Sequence, residues 1–155
     1  MKFGVKELKL LGASLYLCEG TKLRTLGNGR KIYSIEFTNN DPRTIQIFLK
    51  FLRKIIKPVE SRVKVQLFIY PDLDEVFVAK YWQKVTKIPK SRFNKTICLK
   101  GNNSKGRHSP FGTVKLRYAH KEHFLVLQSI IDEVFGGVRI STISSPPRFA
   151  NPRIS

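Results

Sequence analysis

Residues 8–23 of the chain read LKLLGASLYLCEGTKL, and this stretch is the starting point for predicting the fold. Its composition is that of a helix, but apolar residues occur on nearly every side of it. Small residues run from Gly12 to Ser14, and the segment ends at Glu19 followed by Gly20. Because a helix that is apolar all round is typically buried, we predict more contacts for this helix than for an ordinary surface helix.

The chain as a whole is strongly basic. Its 155 residues include 29 Lys and Arg against 11 Asp and Glu, which gives a formal net charge of +18. A surplus of this size repels itself, so we expect a polyanionic partner to offset it. Nucleic acid is the leading partner class, because a duplex presents dense negative charge and releases counterions when it is neutralised. An anionic membrane surface is the weaker alternative.

The apolar stretches and the cysteines indicate an intracellular protein. No apolar run reaches the roughly 20 residues that span a bilayer, and the first residues, MKFGVKELK, lack the pattern of a signal peptide. Cys18 and Cys98 lie in apolar patterns without metal-type spacing. We therefore predict two buried free thiols in a reducing cytoplasm, where the protein associates with the nucleoid.

Periodicity predicts an α+β domain over residues 1–137, followed by a basic, flexible tail over 138–155. Alternation in the strands favours an antiparallel sheet with the helices on one face. Asp41 and Pro42 are expected to cap and begin the second helix. The predicted order is helix 5–18, two strands around a turn at 27–30, a helix ending at Pro58, a strand in 61–71, an additional helix around Trp82, strands 95–100 and 113–118, and a helix that stops at Gly136.

The solvent-facing sides of the strands carry long hydrogen-bond donors of one charge sign. Glu36 is the only acid among those positions. Strand exteriors are ordinarily polar, but they usually mix both signs of charge. Donors at every second residue of a strand can contact phosphates and base edges in the major groove. The residues expected to contact nucleic acid are Lys22, Arg24, Lys31, Lys64, Gln66, Lys100, Lys115 and Arg117.

Glu19 occupies an unfavourable position for an acid. A carboxylate at the C-terminus of a helix opposes the helix dipole. Mg²⁺ often binds only one or two protein carboxylates and completes its shell with water and phosphate oxygens. Two such sites side by side could activate water and stabilise the leaving oxygen of a phosphodiester, but one chain supplies only one such acid, so this chemistry requires a dimer. An ion pair between Glu19 and a nearby lysine is the other interpretation.

Other candidate sites are weaker. His120 and His123 lie three residues apart, but no further Cys or His completes a closed metal site. Neither a Walker A loop nor a GxGxxG or GxSxG motif occurs. Tyr81 and Trp82 are typical of a helix core, with a base-stacking platform as the alternative. The basic loop at 105–112 is interpreted as solvated, with contact to a nucleic-acid backbone as the other possibility.

The segment GASLYLCEG, residues 12–20, resembles the LAGLIDADG motif of homing endonucleases and their relatives. Ser14 takes the place of the internal glycine of that motif, and Cys18 that of its second alanine. Glu19 falls on the last acid and Gly20 on the final glycine. The predicted order of elements over 5–135 is similar to the family's α-β-β-α-β-β-α pattern. The additional helix departs from that pattern, as does a leucine, residue 17, at the family's first acid.

The resemblance implies a homodimer that lays a saddle-shaped antiparallel sheet on duplex DNA. It implies that Glu19 of each copy, with Gly20, holds Mg²⁺ or Mn²⁺ over the scissile phosphates, and Lys115 is our choice for a catalytic cation beside them. The expected activity is DNA cleavage; a non-cleaving DNA-binding regulator of the same fold and a basic RNA-binding protein are the alternatives. The contacts implied between the two motif helices are Gly12, Ser14, Leu15 and Cys18.

Overall fold

A computed structural model of the chain describes residues 2–101 and 109–137. The predicted tail at 138–155 lies outside the described residues, as does the first half, 105–108, of the basic loop at 105–112. The described part is an α+β structure, as the sequence predicts. In these two ranges no helix is long and apolar enough to cross a membrane.

The helices and strands follow the predicted order. The second predicted strand is divided in two, at 31–32 and 34–39, and the strand expected at 95–100 is limited to residues 97–98. The helices are α1 (Val5–Glu19), α2 (Pro42–Phe51), α3 (Glu75–Thr86) and α4 (Lys121–Phe135). The strands are β1 (Arg24–Thr25), β2 (Lys31–Ile32), β3 (Ser34–Asn39), β4 (Lys64–Ile69), β5 (Ile97–Cys98) and β6 (Thr113–Ala119).

The main sheet has the strand order β3-β6-β4-β5. β6 is antiparallel to both β3 and β4, whereas β4 and β5 are parallel. The prediction of a wholly antiparallel sheet is therefore wrong at this edge. The physical reason is the additional helix α3, which carries the chain back across the sheet, so that β5 enters beside β4 in the same direction. β1 and β2 form a separate antiparallel ribbon, and a bridge between Gly20 and Phe37 joins the end of α1 to β3.

Alternation along β4 and β6 decides which face of the sheet is covered. Val65 and Leu67 of β4 and Val114 and Leu116 of β6 are almost completely buried, whereas the residues between them are not. Rings from α2, among them Phe48, belong to the same apolar cluster. The helices therefore cover one face of the sheet and leave the other face polar.

Capping signals place the helices along the chain. The Asp41 carboxylate accepts a hydrogen bond from the backbone N–H of Arg43 at 2.8 Å, and Pro42 is the first helical residue, as predicted. The end of the helix is more complex than predicted. After Phe51 the chain continues as a π-helical segment (Leu52–Ile56), and a left-handed Lys57 ends it before Pro58.

Trp82 is fully buried in α3, and its indole N–H donates to the carbonyl of Phe111 at 2.8 Å. The interpretation of Trp82 as a core residue is confirmed. Tyr81 lies next to it and stacks on the Phe111 ring with centroids 3.7 Å apart. Tyr81 and Trp82 are thus occupied by contacts that attach α3 to the segment before β6.

Candidate nucleic-acid interface and metal position

The two sides of α1 differ in what they contact. Leu8, Ala13 and Tyr16 are buried against the domain's own core. Leu10 and Leu17 on the other side are 53% and 43% exposed. The outer face of α1, defined here as Leu10, Ser14, Leu17 and Cys18, is therefore apolar or small and open to solvent. An exposed face of this kind on an otherwise basic protein marks a potential contact surface.

Two of the residues predicted at the dimer contact, Gly12 and Leu15, pack within their own chain. A Cβ atom on Gly12 would lie 2.1 Å from Cγ of Phe51, so Gly12 is where α1 packs closely on α2 within one chain. Leu15 also packs against the apolar core. The reason is the helical period: residues two positions apart differ by about 200° around the axis, so Gly12 and Ser14 face opposite ways. Ser14 and Cys18 do share the outer face.

The outer leucines, Leu10 and Leu17, are the part that the prediction missed, because Leu15 was the leucine assigned to the dimer contact. Since both sides of α1 are apolar, composition alone could not show which side is inward. The cysteine prediction is also wrong: Cys18 and Cys98 are both exposed. Cys18 lies on the outer face of α1, and Cys98 lies on the edge strand β5.

Glu19 is the last residue of α1, and its side chain is exposed. Within 2–101 and 109–137, no cationic nitrogen lies within 4.0 Å of its carboxylate, so the alternative of an ion pair with a lysine is not realised there. The backbone N–H of Gly20 donates to the carbonyl of Tyr16 at 2.8 Å and ends the helix. The negative end of the helix dipole and the carboxylate together favour a cation at this position.

Lys22 contacts the end of α1. Its Nζ donates to the carbonyl oxygens of Leu17 at 2.6 Å and Tyr16 at 3.2 Å. The last carbonyls of a helix lack a full set of partners, and Lys22 adds a charged donor to the Tyr16 carbonyl, which Gly20 also reaches, and to that of Leu17; this stabilises the helix end. The sequence predicted Lys22 as a nucleic-acid contact, but the structure shows it as a helix cap, which residue type and spacing did not reveal.

Tyr16 fixes the turn that follows Glu19. Its hydroxyl donates to the carbonyl of Thr21 at 2.5 Å, and its ring packs against Gly20. Burial raises the pKa of Tyr16 to about 12, and the negative charge of Glu36 adds to this effect. The buried phenol therefore stays protonated, and hence able to donate this hydrogen bond, well into alkaline solution.

The polar face of the sheet brings several of the predicted residues together. The strand registers align Glu36, Arg117 and Lys64 in one row, and Thr38, Lys115 and Gln66 in the next. Residues aligned in this way point to the same side of a sheet. Lys64, Gln66, Lys115 and Arg117 thus share one surface, as the alternation predicted.

Glu36 lies on this surface, on the edge strand β3, and is only 3% exposed. Its Oε1 lies 3.0 Å from Nη2 of Arg24 and 3.1 Å from Nε of Arg117, and its Oε2 lies 3.6 Å from Nζ of Lys115. One buried carboxylate therefore holds three of the predicted DNA-contact residues in place. Because three positive charges surround one negative charge, the cluster remains positive and its free donors remain available to an anion.

The remaining predicted contacts are placed differently. Lys31 is exposed on β2, opposite Thr25. Lys100 is exposed but lies beyond the end of β5, outside the sheet. The Gln66 amide donates to the carbonyl of Lys95, so it is already engaged with its own chain.

The two histidines have structural roles. The Nδ1 atom of His120 accepts a hydrogen bond from the backbone N–H of His123 at 3.2 Å and caps α4. The Nδ1 atom of His123 is hydrogen-bonded to the hydroxyl of Tyr118 at 2.7 Å. Burial, followed by the nearby charge of His120, lowers the pKa of His123. No group of three potential metal ligands occurs among the described residues.

Comparison of the chain with protein-family models, with curated proteins and with solved structures finds no match.

Proposed function

We propose that the chain is a LAGLIDADG-type protein that binds duplex DNA as a homodimer and cleaves it with a divalent cation. The observation that carries this proposal is the outer face of α1, which is apolar, exposed and directly followed by the exposed carboxylate of Glu19, which has no ion pair among the described residues. Two copies that pair through this face bring two such carboxylates toward one axis. The order of elements and the helix-covered sheet support the corresponding fold.

The polar face of the sheet supports DNA as the partner. Arg24, Lys115 and Arg117 are fixed around Glu36, and Lys64 lies in the same row without an ion pair among the described residues. Fixed cations can contact phosphates at a defined spacing, whereas Lys and Arg on mobile side chains give only general attraction. A regular duplex fits such a surface better than an irregular polyanion.

The donor set of one chain fits half of a metal site. Glu19 supplies one carboxylate, and Gly20 follows with its backbone carbonyl as a second oxygen. Mg²⁺ or Mn²⁺ needs little more from protein when water and phosphate oxygens complete its shell. A bound Mg²⁺ would activate water and stabilise charge on the leaving oxygen. The role of Glu19 is to hold the cation; Lys115, held by Glu36, supplies positive charge near the sheet centre.

Cleavage is tested with a library of duplexes of varied sequence, incubated with the protein and Mg²⁺ or Mn²⁺. We expect discrete cuts by the wild type and none by Glu19→Gln, which retains the size of the side chain and the wild-type affinity for DNA. Lys84→Ala, a change on the exposed side of α3, is the control and should cut normally. Cuts by Glu19→Gln at the wild-type rate would contradict the metal role.

Dimer formation is tested separately by analytical ultracentrifugation. Leu17→Glu places a charge on the outer face of α1 and should give a monomer, while Leu125→Glu, an equally exposed leucine of α4, should not. A monomeric wild type would exclude the paired site. A dimer that binds duplex DNA but never cuts it would leave the non-cleaving regulator, and preference for structured RNA would favour the RNA-binding alternative.

A further inference from the structure

Two surface depressions adjoin at one end of the polar sheet face. One is lined by residues of the β1–β2 ribbon and the start of α4, and the other by residues around the start of β4. They share Arg62 and Ala119, so they form one continuous groove. The cations that line this basic groove are Arg30, Lys31, Arg62, Lys64, Arg117 and Lys121.

Among the residues that the structure describes, the lining of the groove contains no Asp or Glu. Arg62, at its centre, uses one N–H to donate to the carbonyl of Ala119 at 2.5 Å, which holds the guanidinium against the end of β6. Lys121 lies over the ring of Tyr33, with its Nζ 5.6 Å from the ring centroid. Two of the cations are therefore held in place without an acid partner. The charge of Arg62 also contributes to the lowered pKa of His123, behind burial and the charge of His120, as expected beside a positive groove.

The groove begins beside the bridge at the end of α1 and extends away from it. Gly20, next to Glu19, is bridged to Phe37, and Arg117 at one end of the groove pairs with Glu36, the residue before Phe37. From Arg117 the lining continues to Ala119 and Lys121, and Ala119 pairs with Ser34, so the groove runs toward the β1–β2 ribbon and away from Gly20.

We propose that the basic groove binds the sugar-phosphate backbone of the duplex on the flank of the target, on the side of the sheet that leads away from Glu19. This inference rests on the proposed function and adds residues that the strand pattern did not select: Arg30, Arg62 and Lys121. The two depressions have volumes of about 490 and 440 Å³, far more than the roughly 30 Å³ of one water-sized ion. The chemical match is to a row of phosphodiesters rather than to a single anion.

The test measures binding of the full chain to a 30-base-pair duplex of mixed sequence over a range of salt concentrations. Each phosphate contact contributes about 0.9 to the slope of log affinity against log salt. We expect Arg62→Ala and Lys121→Ala each to lower the slope by about one, and the double variant by about two. Lys84→Ala removes a cation that lines neither depression and should leave the slope unchanged. Arg62→Gln, which can still donate to Ala119, separates loss of charge from loss of local structure.

Hydroxyl-radical footprinting on a bound target gives the second readout. The double variant should lose protection on the flanks and keep it at the centre. If the salt slopes of Arg62→Ala and Lys121→Ala equal that of Lys84→Ala while Lys64→Ala reduces the slope, the groove proposal is wrong and the sheet-face proposal stands. If the wild type does not bind the duplex, both are wrong. If the groove variants lose affinity for structured RNA but bind the duplex as the wild type does, the assignment of the groove to duplex DNA is also wrong.

Discussion

Glu19 and Glu36 flank the same backbone bridge, since Glu19 precedes Gly20 and Glu36 precedes Phe37. Their surroundings are opposite. Glu36 is 3% exposed and has three cations within 4.0 Å, whereas Glu19 is exposed and has none there among the described residues. The comparison shows that a large surplus of Lys and Arg does not by itself neutralise every acid. The strand register supplies cations to one glutamate, and the end of a helix leaves the other open.

This difference separates a structural acid from a candidate ligand. A carboxylate that is buried among cations stabilises the fold, because leaving its partners without it costs free energy. An exposed carboxylate at the end of a helix adds little to stability and retains its capacity to bind an external cation. Substitutions at and around the two glutamates should therefore have very different effects.

The largest loss of stability is expected for Glu36→Ala. Removing the buried carboxylate leaves three cations close together and a cavity in the sheet face, which should lower the free energy of unfolding by about 3 kcal/mol. Urea denaturation measures it. Glu36→Gln keeps the shape and one acceptor and should lose less. Wild-type stability of Glu36→Ala would break the distinction between the two acids.

A smaller loss is expected for Arg117→Met. This change removes one of three partners of Glu36, but the guanidinium is half-exposed, so the loss of unfolding free energy should be about 1 kcal/mol. Lys64→Met is the matched control in the same row of the sheet and should change stability by less than about 0.5 kcal/mol. Equal losses of unfolding free energy in the two variants would show that the ion pair between Arg117 and Glu36 does not stabilise the fold.

Tyr16 lies between the two glutamates and gives a pH-dependent effect. Its pKa is about 12 in the folded protein against about 10 in the unfolded chain, so its contribution is complete below pH 10 and is lost as pH rises toward 12. Tyr16→Phe should cost about 1 kcal/mol at pH 7 through the lost hydrogen bond to Thr21. The gap between the two proteins should then shrink above pH 10 in urea denaturation; parallel curves would contradict the raised pKa.

The smallest effect on stability is expected for Glu19→Gln. The carboxylate opposes the helix dipole and has no ion pair in the described ranges. The free energy of unfolding of Glu19→Gln should therefore stay within about 0.5 kcal/mol of the wild-type value. Mg²⁺ sharpens the comparison: it should raise the melting temperature of the wild-type dimer and not that of the variant. An equal shift in both would place the cation elsewhere.

Local signals predicted much of the fold. Asp41 and Pro42 are neighbours in the sequence and together mark the start of α2. Alternation within β4 and β6 identifies the buried face of the sheet. The parallel placement of β5 was not predictable in this way. It depends on how α3 crosses the sheet, which is a property of distant segments rather than of the two residues in the strand.

The candidate site was predicted in part for a similar reason. Alternation placed Lys115 and Arg117 on the polar face, but their convergence on Glu36 depends on pairing between β3 and β6. The cations around Arg62 come from four separate segments that only the tertiary structure brings together. Gly12 could have been assigned to the inner side of α1 from its angle relative to Ser14, whereas its contact with Phe51 could not.

β5, at one edge of the main sheet, has only two residues. A strand this short presents few free backbone groups to a strand from another molecule, so addition of strands at this edge, the first step toward amyloid-like stacking, is disfavoured. Growth of the sheet at the β5 edge therefore has almost no template.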